Sequence, residues 1–261
     1  MHSYLIVIPF YDKFDSINRC MESILAAKNK AIDLIEKLNI VIVDDGSKSK
    51  ELSLEDINCY ESFESVHVSR IPNSGCAQAR LHGIKVGAIN MSDDTYVIHI
   101  DPDDTIMDDM FIQIDSWINK FPEVDVLVGN LLMYDCGVYN PYIITPALNR
   151  MIGKVYPPEI GNCLSQGHPV IYKYAKLGLW KKCLDNCNLR INCCEDLFLT
   201  VLLYRYVKTV VYTDILYYEY EYGQSTSIMS GAKDEPMDSR ITYMYARYME
   251  NINGDIIKEV Y

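Results

Sequence analysis

Long apolar runs are scarce in this 261-residue sequence. One of the longest, from Tyr4 to Phe10, is far shorter than the roughly 20 residues that a helix needs to cross a bilayer. The first ten residues also lack the basic start and the small-residue cleavage site of a signal peptide. We therefore expect a soluble protein of the cytoplasm. Peripheral contact with the cytoplasmic face of a membrane is compatible with the sequence.

Basic residues are too few to suggest a nucleic-acid-binding protein. The chain has 24 lysines and arginines against 36 aspartates and glutamates, which gives a net charge of −12. Tight binding to a phosphate backbone depends on clustered Lys and Arg side chains. The segment from Lys176 to Lys182 is the one modest basic cluster, so nucleic acid is disfavoured as a partner.

The sequence has no C-x-x-C pair, although it contains nine cysteines. With no export signal, these cysteines are better interpreted as reduced thiols that serve as small core side chains. A cluster near the middle of the second half leaves a zinc site open as a minor alternative. Its members are Cys183, Cys187, Cys193 and Cys194.

Alternating strand and helix patterns fill the first half of the chain, with no repeat and no Gly/Ser linker. Short β-branched runs predict buried strands, and apolar residues at helical spacing predict the helices between them. Such alternation is typical of an α/β fold with a mostly parallel, doubly wound sheet. The predicted strands are 5–8, 40–43, 66–68, 96–100 and 124–132, and the predicted helices are 15–27, 76–90 and 107–120.

The second half is less regular, and we expect a smaller α+β portion there. Loop-like sequence covers 148–169. The patterns after it predict helices over 172–184, 195–206 and 236–249, and strands over 209–212 and 216–222. A division near residue 135 separates the two halves of what we expect to be one domain.

Polar and acidic residues follow the predicted strands, where ligands bind in open α/β sheets. The segment Asp101-Pro102-Asp103-Asp104 places three carboxylates within four residues, and such a cluster favours a bound cation. Oxygen ligands suit Mg²⁺ or Mn²⁺, which commonly complete their shell with substrate phosphates. A solvated acidic turn before a helix is the alternative.

Candidate groups also occur at one further strand end, within a helix, at a helix start and in a loop. Asp44-Asp45-Gly46-Ser47 follows the second strand, although Asp-Gly is also a common turn pair. Arg80 lies one turn into the predicted helix that begins at Cys76, where it could approach a phosphate or a base edge. An ordinary surface arginine is the alternative. Glu195-Asp196 precedes an apolar helix, either as a favourable helix start or with one carboxylate as a general base. His168 is a further candidate loop contact.

The ordered combination of five motifs resembles the family 2 glycosyltransferases, which have the GT-A fold. The resemblance covers roughly residues 4–227 and is closest up to Asp109. It implies an activated nucleotide sugar, usually a UDP-sugar, a divalent metal (Mn²⁺ or Mg²⁺) and inversion at the anomeric carbon. The motifs are IVIPFYDKFDSINRCMESIL, IVIVDDGS, NSGCAQAR, YVIHIDPDD and CCEDLFL.

The resemblance also implies roles for individual residues. Residues 1–135 would form the nucleotide-sugar-binding half, and residues 136–261 the acceptor-binding half with a C-terminal helix. Asp196 would be the catalytic base, with Glu195 beside it, and Asp103 would bind the metal. The implied nucleotide-sugar-binding residues are Pro9 and Tyr11 beside the base, Asp45 at the base edge, Arg80 near the base and phosphates, Asp101 at the ribose or sugar, Asp104 in the same cluster, and Lys173 from the segment PVIYKYAK.

The chain departs from the family pattern in its closing segment. Glu219 and Glu221 stand where an Arg is common, and Leu202 stands where another Arg is expected after Asp196. The acceptor would be a saccharide, a glycolipid or another hydroxyl compound. Two alternatives stay open: a sugar-phosphate nucleotidyltransferase, disfavoured because Phe10 to Lys13 is not a Gly-rich loop, and a catalytically degenerate nucleotide-sugar-binding module.

Overall fold

The computed structural model describes residues 1–135, 138–142, 152–153, 155–156, 170–184 and 195–221. These residues all belong to one compact unit, Met1–Glu221. The predicted helix over 236–249 and most of the loop over 148–169 lie outside the described residues. Within the described part, no helix has the length and apolar character required to span a membrane.

A single mixed sheet organises the described residues. Its strands follow the order β3-β2-β1-β4-β9-β6-β10-β5, while β7 pairs with β6 and β8 pairs with β10. The strands are β1 (His2–Phe10), β2 (Ile35–Asp44), β3 (Val66–Arg70), β4 (Tyr96–His99), β5 (Thr105–Ile106), β6 (Val126–Asp135), β7 (Val138–Tyr142), β8 (Val155–Tyr156), β9 (Lys173–Lys176) and β10 (Val210–Glu221).

The first four strands of that order form the parallel part of the sheet. Ile6 of β1 lies opposite Ile40 of β2 and Ile98 of β4. β6 and β10 are also parallel to each other, whereas β9 runs antiparallel to both β4 and β6. The expected α/β class with a mostly parallel sheet is confirmed, and antiparallel pairings complete its second part.

Among the described residues, five α-helices accompany this sheet. α1 buries its apolar stripe, which includes Ile17, Met21 and Ile24. α2 contacts β1 and β2 closely, because it presents glycines to them: a Cβ on Gly83 would lie 2.4 Å from Val7 Cγ1, and one on Gly87 2.3 Å from Leu5 Cδ1. The helices are α1 (Ile17–Lys30), α2 (Cys76–Gly87), α3 (Met110–Lys120), α4 (Leu177–Leu184) and α5 (Glu195–Tyr204).

The helix predicted over 172–184 is wrong in its first part. Residues Lys173–Lys176 form strand β9, and the helix begins only at Leu177. Ala175 lies opposite both Val97 of β4 and Val126 of β6. The backbone of these residues is therefore paired with two strands that are distant in sequence, which local periodicity does not reveal.

The two strands predicted over 209–212 and 216–222 are one strand, β10, with irregular register. The pairing with β6 shifts between Tyr212 and Leu216. Thr213 lies at this irregularity and donates its hydroxyl to the carbonyl of Val128 at 3.0 Å. The strand therefore continues through a region where the sequence pattern is interrupted.

Candidate active site

The carboxyl ends of β1, β2 and β4 lie side by side, since these strands are parallel neighbours. The loops that follow carry most of the candidate residues of the first half. Helix α5, which begins at Glu195, contacts α2. The polar residues predicted at separate strand ends therefore meet along one edge of the sheet.

Asp45 joins the end of β2 to the loop before α2. Its carboxylate accepts hydrogen bonds from the backbone amides of Ser74 at 2.7 Å and Gly75 at 2.9 Å. Its own amide donates to the carbonyl of Phe10 at 2.8 Å. Gly75 has a φ of 90°, which glycine adopts without steric cost. Asp45 is thus fixed in place where the resemblance assigns a contact with the base.

A second set of hydrogen bonds joins the loops after β1 and β2. Asp12 adopts a φ of 50°, and its carboxylate accepts from the backbone amides of Lys48 at 3.1 Å and Ser49 at 3.0 Å. Hydrogen bonding to Ser49 lowers the pKa of Asp12. Pro9 is buried in β1 and Tyr11 is half-buried beside Asp12, so both residues border this fixed edge.

Asp44, the first carboxylate of the DDGS motif, supports the loop. It is fully buried and accepts from the amides of Ser47 at 2.8 Å and Leu52 at 3.1 Å. The Arg70 guanidinium donates to the same carboxylate at 2.6 Å. Burial acts to raise the pKa of Asp44, but the hydrogen bonds from Ser47 and Leu52, together with Arg70, lower it overall.

Arg80 connects the two acidic clusters of the site. Its side chain is 1% exposed. One terminal nitrogen donates to Asp101 Oδ1 at 2.7 Å, and the other donates to Asp196 Oδ1 at 2.8 Å. Asp101 and Asp196 are separated by nearly a hundred residues in sequence, and this single guanidinium brings their carboxylates together.

Burial and like charge raise the pKa of two carboxyls in this cluster. Burial is the main cause for Asp101, to which Asp196 and Asp103 add while Arg80 opposes the rise. Burial is also the main cause for Glu195, followed by the charge of Asp196. Perturbed carboxyls of this kind concentrate at functional sites.

Asp103 pairs with a lysine from another strand end. Lys13 Nζ lies 2.7 Å from Asp103 Oδ2, and both side chains keep about a quarter of their surface exposed, 24% and 25%. The Arg19 guanidinium donates to the carbonyl of Asp103 at 2.7 Å. The sequence shows a basic residue shortly after β1 and an acidic cluster shortly after β4. These two features indicate an ion pair only when β1 and β4 are known to be neighbours in the sheet.

The carboxylate of Asp103 is the kind of oxygen ligand that suits a hard divalent cation whose other ligands come from a substrate. Asp103 presents a partly exposed carboxylate, whereas Asp104 is 3% exposed. Among the described residues there is no group of three His, Cys, Asp or Glu side chains able to hold a metal. Mg²⁺ is often bound by one or two carboxylates together with phosphates and water, which is the arrangement that this site would allow.

Lys173 lies in β9, next to β6 and close to β4. Its side chain is 2% exposed, and its Nζ lies 4.6 Å from the centre of the Tyr172 ring. The buried ammonium therefore has an aromatic partner. A contact between Lys173 and a nucleotide sugar stays a prediction.

Cys76 was not singled out from the sequence, yet it belongs to this neighbourhood. It begins α2. Its thiol interacts electrostatically with the charged groups of the site, which are Arg80, Asp101, Asp196 and Glu195. Burial raises the pKa of the Cys76 thiol. Cys76 lies within the NSGCAQAR motif, but the motif gives it no role, because its surroundings depend on the contact between α2 and α5.

His99, the last residue of β4, belongs to the core of the sheet. It is fully buried and packs edge-on to Trp180, with ring centres 5.2 Å apart. Neither ring nitrogen has a partner among the described residues. Burial lowers the pKa of His99 well below its usual range. The neutral ring therefore does not add the free-energy cost of burying a charge. His168, Cys187, Cys193 and Cys194 lie outside the described residues.

Solved structures share this fold over nearly the whole chain. Residues 1–349 of TarS from S. aureus, in complex with UDP-GlcNAc, superpose with a TM-score of 0.68 at 20% identity, covering 96% of this chain and 67% of that one. GalNAc-T7 in complex with UDP, GalNAc and Mn²⁺ gives a TM-score of 0.61 at 15% identity, covering 95% and 48%. The likeness confirms the GT-A fold expected from the sequence.

The sequence itself matches known proteins over shorter stretches. An uncharacterized glycosyltransferase of Escherichia coli (strain K12), YibD, is 27% identical over 106 residues, which are 41% of this chain and 27% of that protein. The match thus spans about a quarter of the length of this relative. The family model described as "Glycosyl transferase family 2" matches residues 5–169. Because this match covers more than half of the 261 residues, the chain belongs to glycosyl transferase family 2.

Proposed function

We propose that this protein is an inverting glycosyltransferase that moves a sugar from a UDP-sugar to an acceptor hydroxyl. One observation carries the proposal: Asp101 of the first half and Asp196 of the second half are bound to the same guanidinium, at 2.7 and 2.8 Å. A donor-side carboxylate and a candidate base are therefore neighbours. Family membership supports sugar transfer over nucleotidyl transfer.

The reaction would be a single displacement. The acceptor oxygen attacks the anomeric carbon while the bond from that carbon to the diphosphate oxygen breaks and its electron pair leaves with UDP. Asp196 takes the proton of the acceptor hydroxyl, as a general base within hydrogen-bond reach. Glu195, whose pKa is raised by burial, stands beside it.

The donor would lie along the fixed edge of the sheet. Pro9 and Tyr11 border the uracil, Asp45 accepts a hydrogen bond from its edge, and Asp101 and Asp104 face the ribose and sugar, with Lys173 contributing from β9. Asp103 is the residue that would hold Mn²⁺ or Mg²⁺, whose chemistry when bound is to neutralise charge on the diphosphate. In support, the structural relatives include TarS in complex with UDP-GlcNAc and GalNAc-T7 with UDP, GalNAc and Mn²⁺.

Donor hydrolysis without an acceptor tests the proposal. The protein is incubated with Mn²⁺ and a panel of UDP- and GDP-sugars, and release of the nucleoside diphosphate is followed. We expect slow hydrolysis of one UDP-sugar, lost in Asp196→Asn. Saturable binding of a UDP-sugar without any turnover, with or without candidate acceptors, would instead indicate a binding module.

The proposed uracil-binding pocket predicts a nucleotide preference. Because the Asp45 carboxylate is held by the amides of Ser74 and Gly75 and is proposed to contact the uracil edge, we expect UDP with Mn²⁺ to raise the melting temperature more than GDP does. Asp45→Asn should weaken this difference. Equal protection by UDP and GDP in thermal melts would contradict the assignment of this pocket to uracil.

A further inference from the structure

Arg80 has a different environment from the one expected for a nucleotide-binding arginine. Its side chain is 1% exposed, and its two terminal nitrogens are directed to Asp101 and Asp196. Its Nε has no hydrogen-bond partner among the described residues. A buried guanidinium with an unsatisfied N–H is costly, and the two carboxylates provide the compensation.

The backbone that carries Arg80 is also fixed. α2 lies tight against β1 because Gly83 and Gly87 leave room only for their own hydrogens next to Val7 and Leu5. At its start, the backbone amides of Ser74 and Gly75 are bound by Asp45. The arginine thus extends from a rigid position to two carboxylates that come from separate parts of the chain.

We propose that Arg80 is a positioning residue for sugar transfer: its guanidinium holds the carboxylate of the base Asp196 at a set place relative to Asp101 on the donor side. This inference deepens the proposed function and rests on it. The base Asp196 and the sugar-donor contact Asp101 are therefore held in a fixed relative position before any substrate binds. Two carboxylates this close would otherwise repel each other and separate.

Lysine at this position cannot keep both contacts in the same geometry, because an ammonium lacks the planar fork of a guanidinium. Arg80→Lys should therefore misplace Asp196 relative to the donor. A misplacement of about 1 Å can cost about 10²-fold in rate. We expect kcat for UDP-GlcNAc hydrolysis, or for the UDP-sugar found to be turned over, to fall by about 10- to 100-fold, while KM changes by less than about threefold because UDP-sugar contacts remain.

Arg70→Lys is the matched control. Arg70 also donates to a buried carboxylate, Asp44, at 2.6 Å, but it supports the loop that carries Asp45 and does not contact the base Asp196. Arg70→Lys should therefore lower the melting temperature and raise KM, without the fall in kcat at nearly unchanged KM that is expected for Arg80→Lys. Added guanidinium chloride at millimolar concentration should restore part of kcat in Arg80→Ala and have no such effect in Arg70→Ala.

A second measurement keeps Arg80 in place, in case its variants do not fold. Asp101→Asn and Asp196→Asn each alter one end of the bridge. If the arginine couples the two ends, the double variant should lose much less kcat than the product of the two single losses. A double variant whose loss of kcat equals the product of the two single losses would overturn the inference. So would an Arg80→Lys variant with wild-type kcat and only a lower melting temperature. A wild-type protein that hydrolyses no UDP-sugar at all would instead refute the proposed function, and the inference with it.

Discussion

At the scale of single residues, the acidic pair Glu195-Asp196 is the place where chemistry and helix geometry must be separated. Both residues begin α5, so either could serve only as a favourable helix start. The contact from Arg80 reaches Asp196, while burial and the neighbouring charge raise the pKa of Glu195. The direct contact with the buried guanidinium favours Asp196 over Glu195 as the base.

Asp196→Asn should therefore bind UDP-sugar normally and turn over slowly. Losing a general base typically costs about 10²–10⁴ in rate, and the near-isosteric amide should preserve the helix start. Glu195→Gln should be milder. Calorimetry of UDP binding and the rate of UDP release check both. If Glu195→Gln is the inactive variant, the roles are exchanged. If neither variant is slowed, the pair is only a helix start.

The ion pair of Lys13 with Asp103 gives a second prediction at this scale. A lysine that already occupies the carboxylate should compete with a divalent cation. Partly exposed ion pairs are worth about 0.2–1 kcal/mol, so Lys13→Met should bind Mn²⁺ alone more tightly, by a factor of roughly 1.4 to 5. Calorimetric titration without nucleotide measures this.

Lys30→Met is the matched control, because Lys30 forms a similar 2.7 Å pair with Asp108, a carboxylate that has no role in the proposed metal binding. It should leave Mn²⁺ affinity unchanged. Asp103→Asn should abolish Mn²⁺-dependent UDP-sugar binding in both backgrounds. Unchanged or weaker Mn²⁺ affinity in Lys13→Met would show that the lysine does not compete for Asp103.

At the scale of elements, the position of α2 depends on its glycines. In Gly83→Ala the new Cβ would lie 2.4 Å from Val7 Cγ1 and 3.1 Å from Val43 Cγ2. Val7 and Val43 are buried in β1 and β2, so neither can move away cheaply. Overpacking typically costs about 1–3 kcal/mol, which exceeds the gain of up to about 1 kcal/mol from replacing a helical glycine.

We therefore expect Gly83→Ala to reduce the free energy of unfolding by about 1–2 kcal/mol and to lower kcat, because α2 carries Arg80. Lys85→Ala on the exposed side of the same helix should stay within about 0.5 kcal/mol of the wild type. Urea denaturation and UDP release measure both effects. A stable and fully active Gly83→Ala variant would mean that α2 can shift without disturbing the site.

At the scale of the whole molecule, the excess of acidic side chains makes the pH dependence of the free energy of unfolding informative. The pKa of Asp44 is lowered in the folded state. Its ionised form therefore stabilises the fold above the ordinary aspartate pKa of 3.8, and this contribution is lost as the pH falls below that value toward the folded-state pKa.

Asp44→Asn should be less stable than the wild type by about 1–3 kcal/mol at pH 7, because Arg70 loses its charged partner. The difference should narrow as the pH falls below 3.8, because Asp44 of the unfolded chain then takes up a proton before the folded chain does. Urea denaturation across this range measures it, with exposed Asp33→Asn as a control for the loss of one negative charge. A difference that stays constant down to pH 2.5 would contradict a lowered pKa for Asp44.

The sequence by itself determined the alternation of elements and the chemistry placed at their ends. Apolar β-branched runs predicted β1, β2, β4 and β6, because strands buried on both faces lack polar interruptions. The shorter run from Val66 to Val68 predicted β3, which is only partly buried. The acidic and polar residues after them followed from the rule that ligands bind at the carboxyl ends of parallel strands. The ordered motifs then pointed to the family that the comparisons confirmed.

Only the tertiary structure decided what these groups contact. Strand β9 forms where β4 and β6 leave a gap between them, which no local pattern encodes. The pairing of Lys13 with Asp103 spans 90 residues, and that of Arg80 with Asp196 spans 116. Such contacts depend on which strands and helices are neighbours, and a single sequence specifies residue types without specifying those neighbours. The sequence therefore indicated the candidate groups, whereas the packing of α2 between the sheet and α5 made Arg80 the link between them.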